Sequence, residues 1–330
     1  MIDLSGKFIL LFVPNGLGIY GSAIFNELTK RGSIVKIYDE RPSKSIIIKA
    51  IIRFLKRYYS IFFNNYIKNI IKENKSCNFD YIVVIRGEAF TTKSIVLLKK
   101  SFPRAKLILY LWDSVKYTKV TELFKYFDKV LSFDRIDVNE FNGLIHRPLF
   151  YLPEYSKISN LPPGDIDLIF IGKLHSDRYF IISKLEKIFK EKGLSTYFYF
   201  YYPSRLLFFI KKIFNKKYWG KSSIIVNSDM ISVSETVNLL CRARCSLDIN
   251  HPLQTGLTMR TIEVLGAKRK LITTNEDIKN YEFYNKNNIM IIDRKDPVID
   301  YNFIFSPLEE IEESIYQKYS LNCFIDDLFA

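Results

Sequence analysis

The amino-acid sequence predicts an α/β protein built from two Rossmann-like, doubly wound domains. In the first half of the chain, buried strand patterns alternate with helical patterns, and a second series of the same kind begins after residue 165. Prolines at positions 148, 153, 162 and 163 punctuate the weakly patterned segment between the two series, which marks it as a linker. Strands joined by helices pair in parallel, so each series predicts one parallel sheet. The 330 residues are enough for two domains that each have a core.

The N-terminal domain is predicted to span residues 1–150. Short apolar runs between polar or glycine residues predict its strands, and longer runs with helical spacing predict its helices. The predicted strands are Phe8–Val13, Ile34–Tyr38, Tyr81–Ile85, Leu107–Leu111 and Lys129–Phe133, with helices at Ile19–Arg31 and Thr92–Lys100. Lys129–Phe133 is expected to be the last strand of this sheet.

The linker is predicted at residues 151–165 and a second Rossmann-like domain at residues 166–306. Its predicted strands are Asp167–Gly172, Ser195–Tyr201, Ala243–Ile249 and Lys270–Thr274. One helix should run to Lys192, and another carries Met259, Ile262 and Leu265 on its apolar face. Residues 307–330, with an acidic helix at Pro307–Tyr316 and an apolar tail, are expected to cross back onto the first domain.

Composition limits the class of protein. Hydrophobic residues make up 48% of the chain and charged residues 25%, which is typical of a globular protein. No apolar run is long enough to span a bilayer, and the first residues lead directly into a strand, so no signal peptide is expected. Four cysteines indicate no disulfide framework, which favours a reducing compartment. We therefore expect a cytoplasmic protein.

The formal net charge of +14 indicates a partner with negative charge. Two segments, Lys44–Lys75 and Arg205–Lys221, mix basic residues with Ile, Phe and Tyr. This mixture is typical of helices that lie on an anionic membrane surface, and equally of helices with an ordinary buried face and solvated lysines. Nucleic acid is a third anionic partner, but the sequence has no helix-turn-helix, zinc-finger or RNP-like pattern. No nucleic-acid partner is expected.

The segment 248–275 carries the strongest signal of a binding site. A predicted strand ends in a polar turn at residues 251–256, and the helix that follows carries Arg260 and Glu263 on one face. A helix N-terminus attracts phosphate, an arginine adds a forked donor for a diphosphate, and a glutamate can accept two hydrogen bonds from a ribose diol. The same spacing is common in solvated surface pairs. Gly266 favours the close helix–strand packing that sites at the carboxyl ends of parallel strands require.

A family resemblance rests on this segment. Gly256, Arg260-Thr261-Ile262-Glu263, Gly266 and Leu271-Ile272-Thr273-Thr274-Asn275 together resemble the donor-binding segment of GT-B glycosyltransferases. The similarity is greatest to bacterial enzymes of capsule and lipopolysaccharide assembly and to the CgeB-like group. It implies two domains facing a cleft, a nucleotide sugar held by the second domain, and a saccharide or lipid-linked acceptor against the first. The commonest family version has an acidic residue at the position of Thr255, and this chain has none there.

The resemblance implies further donor-binding residues. Gly172 would let the backbone approach the donor, and Lys173 and Arg178 in the same turn would reach phosphate oxygens, although an ordinary charged loop has the same composition. His251 and Thr258, before the helix, complete the predicted donor site. In GT-B enzymes, cationic side chains and helix N-termini stabilise the departing diphosphate. No metal and no cofactor beyond the donor are therefore expected.

Acidic residues follow three predicted strands of the first domain, at Glu88, Asp113 and Asp134. Substrate groups gather in loops of this kind, and an inverting transferase needs a base for the acceptor hydroxyl. Asp113, beside Trp112 as a sugar-stacking plane, is the first candidate for that base and Glu88 the second. Either residue is also suited to positioning the acceptor or capping a helix. A retaining enzyme needs no such base, so the stereochemistry stays open.

A glycine-rich turn supports a different function. Residues Gly16–Gly21 form a literal G-x-G-x-x-G between a strand and a helix, and Asp39 ends the next strand, as in dinucleotide-binding proteins. An NAD(P)-dependent oxidoreductase is therefore an alternative, although Pro14 before the turn departs from that pattern. In GT-B enzymes the equivalent turn lies on the acceptor side, which implies that role for Asn15, Gly16 and Gly18. A non-catalytic protein that binds nucleotide sugars is a further alternative.

Overall fold

The computed structural model describes residues 1–41, 56–204, 208–209, 213, 224–252 and 254–330. The chain forms two compact units, one made of Met1–Leu149 with Leu321–Ala330 and the other of Phe150–Ser320. Within the described residues, each unit contains one parallel sheet of six strands with flanking helices. The predicted fold class, two doubly wound α/β units, is confirmed.

The N-terminal unit contains the sheet order β2-β1-β3-β4-β5-β6. Its strands are β1 (Phe8–Val13), β2 (Ile34–Asp39), β3 (Tyr81–Ile85), β4 (Lys106–Leu111), β5 (Lys129–Ser132) and β6 (Leu144–His146). The helices between them are α1 (Ile19–Lys30), α2 (Lys56–Glu73), α3 (Thr92–Ser101), α4 (Val115–Thr118) and α5 (Arg135–Glu140). The central strands are apolar on both faces because helices cover both sides of a parallel sheet.

The second unit contains the sheet order β12-β11-β10-β7-β8-β9. Its strands are β7 (Ile166–Lys173), β8 (Thr196–Tyr201), β9 (Ile225–Asn227), β10 (Ala243–Asp248), β11 (Lys270–Thr273) and β12 (Ile289–Ile291). Its helices are α6 (Pro153–Ser156), α7 (Arg178–Glu191), α8 (Val233–Arg242), α9 (Met259–Gly266), α10 (Tyr301–Phe305) and α11 (Glu313–Lys318). The final helix of the chain, α12 (Leu321–Phe329), belongs to the N-terminal unit.

Each sheet has one point at which the strand order reverses. In the N-terminal unit, β1 lies between β2 and β3, and in the second unit β7 lies between β8 and β10. The connections from such neighbours leave towards opposite faces of the sheet, and the resulting crevice at their carboxyl ends is where open α/β sheets bind ligands. The residues that follow β7 and β10 are therefore brought together by topology.

Helix α12 is attached to the N-terminal unit by apolar and charged contacts. Phe324 is fully buried, and its ring packs edge-to-face against that of Tyr110 at 4.8 Å. Arg31 donates to Asp326 at 2.6 Å, and Arg147 forms an ion pair with Asp327 at 2.8 Å. The last residues of the chain are thus part of the first core.

Three short edge strands were not predicted. Strand β6 extends the first sheet beyond Lys129–Phe133, so the prediction that this strand ends the sheet was wrong, and β9 and β12 were also missed. Each of the three has only three residues, too few to show an alternating pattern.

The predicted acidic helix Pro307–Tyr316 was wrong in its first part, because the helix of this region covers only Glu313–Lys318. The main chain of Glu309 is bonded to a side chain instead. Its N–H donates to Asn288 Oδ1 at 2.8 Å, and its carbonyl accepts from Asn288 Nδ2 at 2.9 Å. These bonds satisfy the main-chain groups of Glu309 without a helix.

The two basic segments fall partly outside the described residues. Of Lys44–Lys75, residues 44–55 lie outside, and the rest contains α2, whose buried face includes Phe63 and Ile67. Most of Arg205–Lys221 lies outside as well. In the part of the chain that the structure describes, no helix has the length and apolar character that a bilayer span requires.

Candidate functional site

The candidate site begins at the carboxyl ends of β7 and β10, where Arg178 joins the two strands. Its Nε donates to the carbonyl of Ile249 at 2.8 Å, and an NH1 hydrogen is directed to the carbonyl of Lys173 at 3.2 Å. The guanidinium also lies over the ring of Phe170. Burial lowers the pKa of Arg178, and the nearby guanidinium groups of Arg294 and Arg260 act in the same direction. The side chain is thus fixed at the reversal point of the sheet.

Arg294 is a second fixed guanidinium, which the sequence analysis missed. Its NH1 donates to both carboxylate oxygens of Asp177 at 2.9 Å, and its NH2 donates to the carbonyl and the side-chain oxygen of Asn250. It lies in the loop after β12, an edge strand too short to be recognised, so no sequence signal placed it at the carboxyl edge. The bonds connect that loop to the end of β10 and the start of α7.

Arg260 and Glu263 form an ion pair on α9, with 2.8 Å between NH1 and Oε2. Their side chains are only 16% and 8% exposed, so the pair is not a solvated surface pair. Arg260 also reaches the end of β7, where its NH2 lies 3.5 Å from the carbonyl of Ile171. Arg178, Arg260 and Arg294, named here the arginine cluster, lie close enough for the last two to lower the pKa of Arg178.

Asp248, at the end of β10, positions the start of α9. Its buried carboxylate accepts hydrogen bonds from the hydroxyl of Thr258 at 2.7 Å and of Thr261 at 2.6 Å. Thr258 is the N-cap of the helix, because its Oγ1 accepts from the N–H of Thr261. The sequence pattern identified Thr258, and the structure adds Asp248 as the group that orients it.

The polar turn before α9 is held by amide side chains. Asn250 Nδ2 donates to the carbonyl of Gln254 at 2.7 Å, and Asn250 Oδ1 accepts from Thr274 at 2.9 Å. Asn275 Nδ2 donates to the carbonyl of Thr255 at 2.9 Å. The turn is therefore hydrogen-bonded to the residues that follow β11.

Two histidines lie side by side at this edge. The ring centroids of His175 and His251 are 5.6 Å apart, and His175 Nδ1 lies 2.9 Å from the hydroxyl of Ser176. Burial lowers the pKa of His175 to about 4, and the charges of Arg178, His251 and Lys173 act in the same direction. His175 is therefore neutral at pH 7. The sequence analysis selected His251 alone, and the structure adds His175 as its neighbour.

Gly172 has a packing reason to be glycine. A Cβ at this position would lie 2.7 Å from the ring of Phe170 and 3.2 Å from NH1 of Arg178. The glycine thus makes room for Arg178 to reach the carbonyl of Lys173. Contact of Gly172 with a ligand stays a prediction, as does phosphate binding by the exposed Lys173 side chain.

At the carboxyl edge of the N-terminal sheet, five residues form a charge network: Glu40, Arg41, Arg86, Glu88 and Asp113. Arg86 pairs with Glu88 and with Asp113, each at 2.9 Å, and Arg41 pairs with Glu40 and with Glu88, each at 3.3 Å. The Asp113 side chain is 40% exposed and that of Glu88 is 7% exposed, so of the two predicted catalytic acids Asp113 is the accessible one. Arg86 itself has a left-handed backbone, with φ of 82°.

Glu40 is the buried end of this network and was not predicted. Its carboxylate is fully buried and accepts from the N–H of Ala89 at 2.8 Å. Burial raises the pKa of Glu40 to about 7, against the opposing effect of Arg41. Its proton occupancy thus changes near neutral pH.

The surroundings of Asp113 differ from the sequence prediction in two ways. Trp112 is only 8% exposed and packs near the rings of Tyr110 and Tyr20, so the prediction that it offers a sugar-stacking plane was wrong. Helix α4 begins after Ser114, which gives no side-chain cap, and the buried Asp137 accepts from the N–H of Val115 at 2.8 Å instead. Asp113 is therefore not needed to cap this helix.

Asp134, the third acid that follows a predicted strand, caps a helix. It is the N-cap of α5, and its side chain accepts from the N–H of Ile136 at 3.0 Å. The acid after β5 thus satisfies a helix end, as the general preference for Asp at N-caps would suggest.

The glycine-rich turn contains a short 3₁₀-helix, Asn15–Leu17, followed by Gly18 with φ of 50°. Asn15 donates to both carboxylate oxygens of Asp39, through its N–H at 3.1 Å and through its side chain. The N–H of Arg41 also donates to Asp39, at 2.9 Å. The carboxylate that would hold a ribose in a dinucleotide site is thus bonded to the protein itself. Asn15, Gly16 and Gly18 are exposed.

The acids around the start of β7 are paired with arginines. Arg242 donates to both oxygens of Asp165 at 2.8 and 2.6 Å, and Arg244 pairs with Asp167 at 3.2 Å. Their D-x-D spacing resembles a metal-binding motif, but both carboxylates are paired with arginines. Among the described residues, no group of three or more His, Cys, Asp or Glu side chains has a metal-binding arrangement. Independence of metal stays a prediction.

Comparison of the whole chain with solved structures identifies the architecture. A glycosyltransferase from Rickettsia africae superposes with a TM-score of 0.62 and 16% identity, covering 98% of this chain and 96% of that one. The chain has the GT-B fold. A trehalose-phosphate synthase from Burkholderia xenovorans, in complex with glucose-6-phosphate, gives a TM-score of 0.64 at 11% identity and covers 97% and 98%. The Anabaena protein HepE, in complex with UDP and glucose, gives 0.59 at 9% identity and covers 98% of both chains.

Sequence comparison adds nothing to this. No family model matches the chain, and no curated protein sequence matches it either. At identities below 20% the structural similarity shows the fold alone and does not show the chemistry.

Proposed function

We propose that this protein is a metal-independent glycosyltransferase that transfers a sugar from a nucleotide-sugar donor to a saccharide acceptor. The observation that carries the proposal is the arginine cluster at the reversal point of the second sheet, with Glu263 on the helix that begins there. The GT-B fold supports it, since the structural neighbours of that fold include a synthase described as UDP-forming and a protein bound to UDP and glucose.

The arginine cluster would bind the diphosphate of the donor. Guanidinium groups form paired hydrogen bonds with phosphate oxygens, and these bonds are strongest where the groups are held in place and shielded from water. Arg178 and Arg260 are both directed to carbonyls at the end of β7, and the capped N-terminus of α9 lies beside them. As the bond to the sugar breaks, negative charge grows on the diphosphate, and fixed cations stabilise that charge without reorganising. This is the role that a metal ion has in other transferases.

Glu263 would bind the ribose of the donor. Its carboxylate is 8% exposed and lies one turn from the N-terminus of α9, so it can accept hydrogen bonds from a vicinal diol while the diphosphate lies at the helix end. In the structure its partner is Arg260, 2.8 Å away. We expect that pair to loosen as Arg260 turns to the diphosphate and Glu263 to the ribose.

The N-terminal unit would bind the acceptor through the carboxyl edge of its sheet. Asp113 is the candidate group for the acceptor hydroxyl, because it is exposed and its carboxylate is oriented by Arg86. In an inverting reaction Asp113 would accept the hydroxyl proton, and in a retaining one it would orient the hydroxyl. Asn15, Gly16 and Gly18 are exposed in a loop at the same edge and would contact the acceptor.

We further propose that the acceptor is lipid-linked and that the enzyme works on bacterial surface polysaccharide, of the capsule or lipopolysaccharide type, at the cytoplasmic side of the inner membrane. Helix α2 supports this, because Ile61 and Phe62 are 69% and 55% exposed and the same helix presents the exposed Lys68 and Lys72. Apolar and basic side chains on one helix are typical of proteins that lie on anionic membranes.

A donor screen with paired nucleotides tests the proposed function. Thermal stabilisation by UDP, GDP, CMP, dTDP, NAD and NADP selects the nucleotide, and titration calorimetry then compares a selected ribonucleotide with its 2′-deoxy form. Loss of the 2′-hydroxyl should weaken binding to the wild type but make no difference to Glu263→Ala, because the partner of that hydroxyl is already gone. Arg260→Gln should weaken binding of the nucleoside diphosphate far more than binding of the nucleoside.

Two results would contradict the proposal. Preferential binding of NAD or NADP would favour the oxidoreductase alternative, and binding of a nucleotide sugar without turnover on any saccharide acceptor would favour a binding protein. The membrane proposal is tested separately by co-sedimentation with vesicles of phosphatidylglycerol and phosphatidylcholine. Replacement of Ile61 and Phe62 by serine should abolish sedimentation with the anionic vesicles, and unchanged sedimentation of this variant would remove α2 from the interface.

A further inference from the structure

The second unit contains a cavity of about 300 Å³ at the opposite end of its sheet from the arginine cluster. Arg244, near the amino end of β10, and Lys270, the first residue of β11, both line it. From Arg244 to Asp248, where the candidate donor site begins, β10 rises by roughly 13 Å. The cavity is therefore distinct from the site at the carboxyl edge.

All the described charged residues that line this cavity are basic. Four basic residues contribute to it, and no acidic residue does, within the part of the chain that the structure describes. The basic residues are Arg244, Lys268, Arg269 and Lys270. The remainder of the wall is mainly apolar and includes Phe305 and Leu308. The cavity thus combines positive charge with apolar surface.

Two of these cations are buried. Lys270 is 3% exposed, and its ammonium donates to the carbonyl of Phe303 at 2.6 Å and to the hydroxyl of Ser306 at 2.5 Å. Arg269 is 7% exposed and donates only to main-chain carbonyls, among them Leu161 at 2.9 Å. Burial lowers the pKa of Lys270 against the opposing charges of Glu309 and Asp300, and the hydrogen bonds of Lys270 and Arg269 go to uncharged oxygens. Buried charges in proteins are normally paired with an opposite charge.

The other two cations have carboxylate partners that do not line the cavity. Arg244 pairs with Asp167 at 3.2 Å and remains 37% exposed, while Lys268 lies 3.9 Å from Glu313, which is 66% exposed. Lys268 also occupies the left-handed position after α9, with φ of 47°, where glycine is usually preferred. A lysine at this position places a fourth positive charge beside the cavity.

We propose that this cavity binds a small organic anion, a phosphomonoester or a carboxylate with an apolar portion. The anionic group would lie against Arg244 and accept from the buried ammonium of Lys270, whose hydrogen bonds in the structure go to uncharged oxygens, and the apolar portion would lie against Phe305 and Leu308. The volume is at the lower end of the range for small-molecule sites, so it suits a ligand of modest size. This site is independent of the proposed sugar transfer.

Phenyl phosphate, benzoate and benzyl alcohol are suitable probes, since they share a ring and differ in the polar group. Binding is measured by titration calorimetry on the full chain at constant ionic strength. We expect phenyl phosphate, benzoate or both to bind the wild type, and the neutral alcohol to bind at least tenfold more weakly. The two anions then distinguish a phosphate site from a carboxylate site.

Three variants locate the binding. Lys270→Met and Arg244→Gln should each weaken binding of the anion at least tenfold. The control variant is Lys187→Met, which should bind the anion like the wild type because the Lys187 side chain is 80% exposed on α7. Arg244 is partly exposed, so its variant keeps the test informative if Lys270→Met does not fold. Loss of binding in Arg178→Gln with full binding in Arg244→Gln would place the anion at the arginine cluster and overturn the proposal. Equal binding of benzyl alcohol, or no binding of either anion, would also overturn it, whatever the donor screen shows.

Discussion

The carboxyl edges of the two sheets are built from the same kinds of residue in different arrangements. At the second sheet, Arg178 donates to the main-chain carbonyls of Ile249 and Lys173. Arg260 and Arg294 also bond uncharged oxygens, and each has in addition an ion pair, with Glu263 and Asp177 respectively. At the N-terminal sheet, Arg41 and Arg86 are held by carboxylates. The first arrangement thus contains one guanidinium, that of Arg178, whose hydrogen bonds go to uncharged oxygens, whereas both guanidinium groups of the second are paired with carboxylates.

This difference indicates which substrate each edge suits. A diphosphate carries several negative charges and is stabilised where cations are fixed but not neutralised. A sugar hydroxyl is uncharged, so it needs an oriented carboxylate such as Asp113 rather than a positive field. The way in which Arg178 is held supports the proposed assignment of the donor to the second unit and the acceptor to the N-terminal unit, and matched substitutions at the two edges test it.

Exchange of one arginine at each edge should give the largest contrast. Arg178→Met should weaken the selected nucleoside diphosphate by more than a hundredfold, about 3 kcal/mol, because a fixed charge and two strand-end contacts are lost. Arg86→Met should change nucleotide affinity less than twofold, since its partners are Glu88 and Asp113. Titration calorimetry measures both, and similar losses in the two variants would mean that the edges do not have separate substrates.

Glu40 allows the N-terminal edge to be tested by pH. Its folded pKa of about 7 lies above its ordinary value of 4.5, so the folded state binds the proton more tightly than the unfolded state does. Stability contributed by this proton is present below pH 4.5 and is lost as the pH rises to about 7, by an amount on the order of 3 kcal/mol. Glu40→Gln should remove that loss.

The measurement for Glu40 is the free energy of unfolding by urea at several pH values between 4.5 and 8, in the wild type and in Glu40→Gln. The difference between the two proteins isolates Glu40 from other acids. A difference that is constant across this range would show that Arg41 keeps Glu40 ionised and that the buried end of the network does not titrate.

The sequence was sufficient to predict the fold and one helix of the site, for physical reasons. Long buried strands and amphipathic helices have strong patterns, and the fold-class prediction was confirmed. Arg260 and Glu263 were recognisable because both lie on one helix, so their spacing fixes their common face.

The rest of the candidate site depends on contacts between distant parts of the chain. Arg294 approaches Asn250 only because β12 adds to the edge of the sheet, and three residues are too few to predict that strand. Glu40 and Glu88 are brought together by the pairing of β1 with both β2 and β3. Trp112 was assigned to sugar stacking because sequence gives its type but not its burial against Tyr110. Strand pairing between distant residues and the burial of a given side chain are properties that a single sequence does not show directly.

Helix caps provide a weaker, matched comparison of the two edges. Thr258 caps α9 and Thr91 caps α3, each by accepting from the N–H three residues later. Replacement of either by alanine should lower the free energy of unfolding by about 1 kcal/mol. Only Thr258→Ala should also weaken binding of the nucleoside diphosphate. A loss of about 1 kcal/mol in binding free energy corresponds to about a fivefold loss of affinity. Affinity unchanged in Thr258→Ala would mean that the start of α9 does not contact the diphosphate.

The smallest effect on nucleotide affinity is expected from substitution of His175, because this side chain should add no charge to the donor site at neutral pH. Because the pKa of His175 is lowered to about 4, the ring stays neutral between pH 6 and 8 and adds no charge towards the diphosphate. Protonation at lower pH would add a positive charge, so His175 can tighten binding only as the pH falls towards 4. The nucleotide itself titrates in this range, and the ratio of wild-type to His175→Asn affinity removes that contribution. We expect a constant ratio from pH 8 to 6, and a ratio that rises within this interval would show that bound phosphate raises the pKa of His175 and recruits it as a further cation of the donor site.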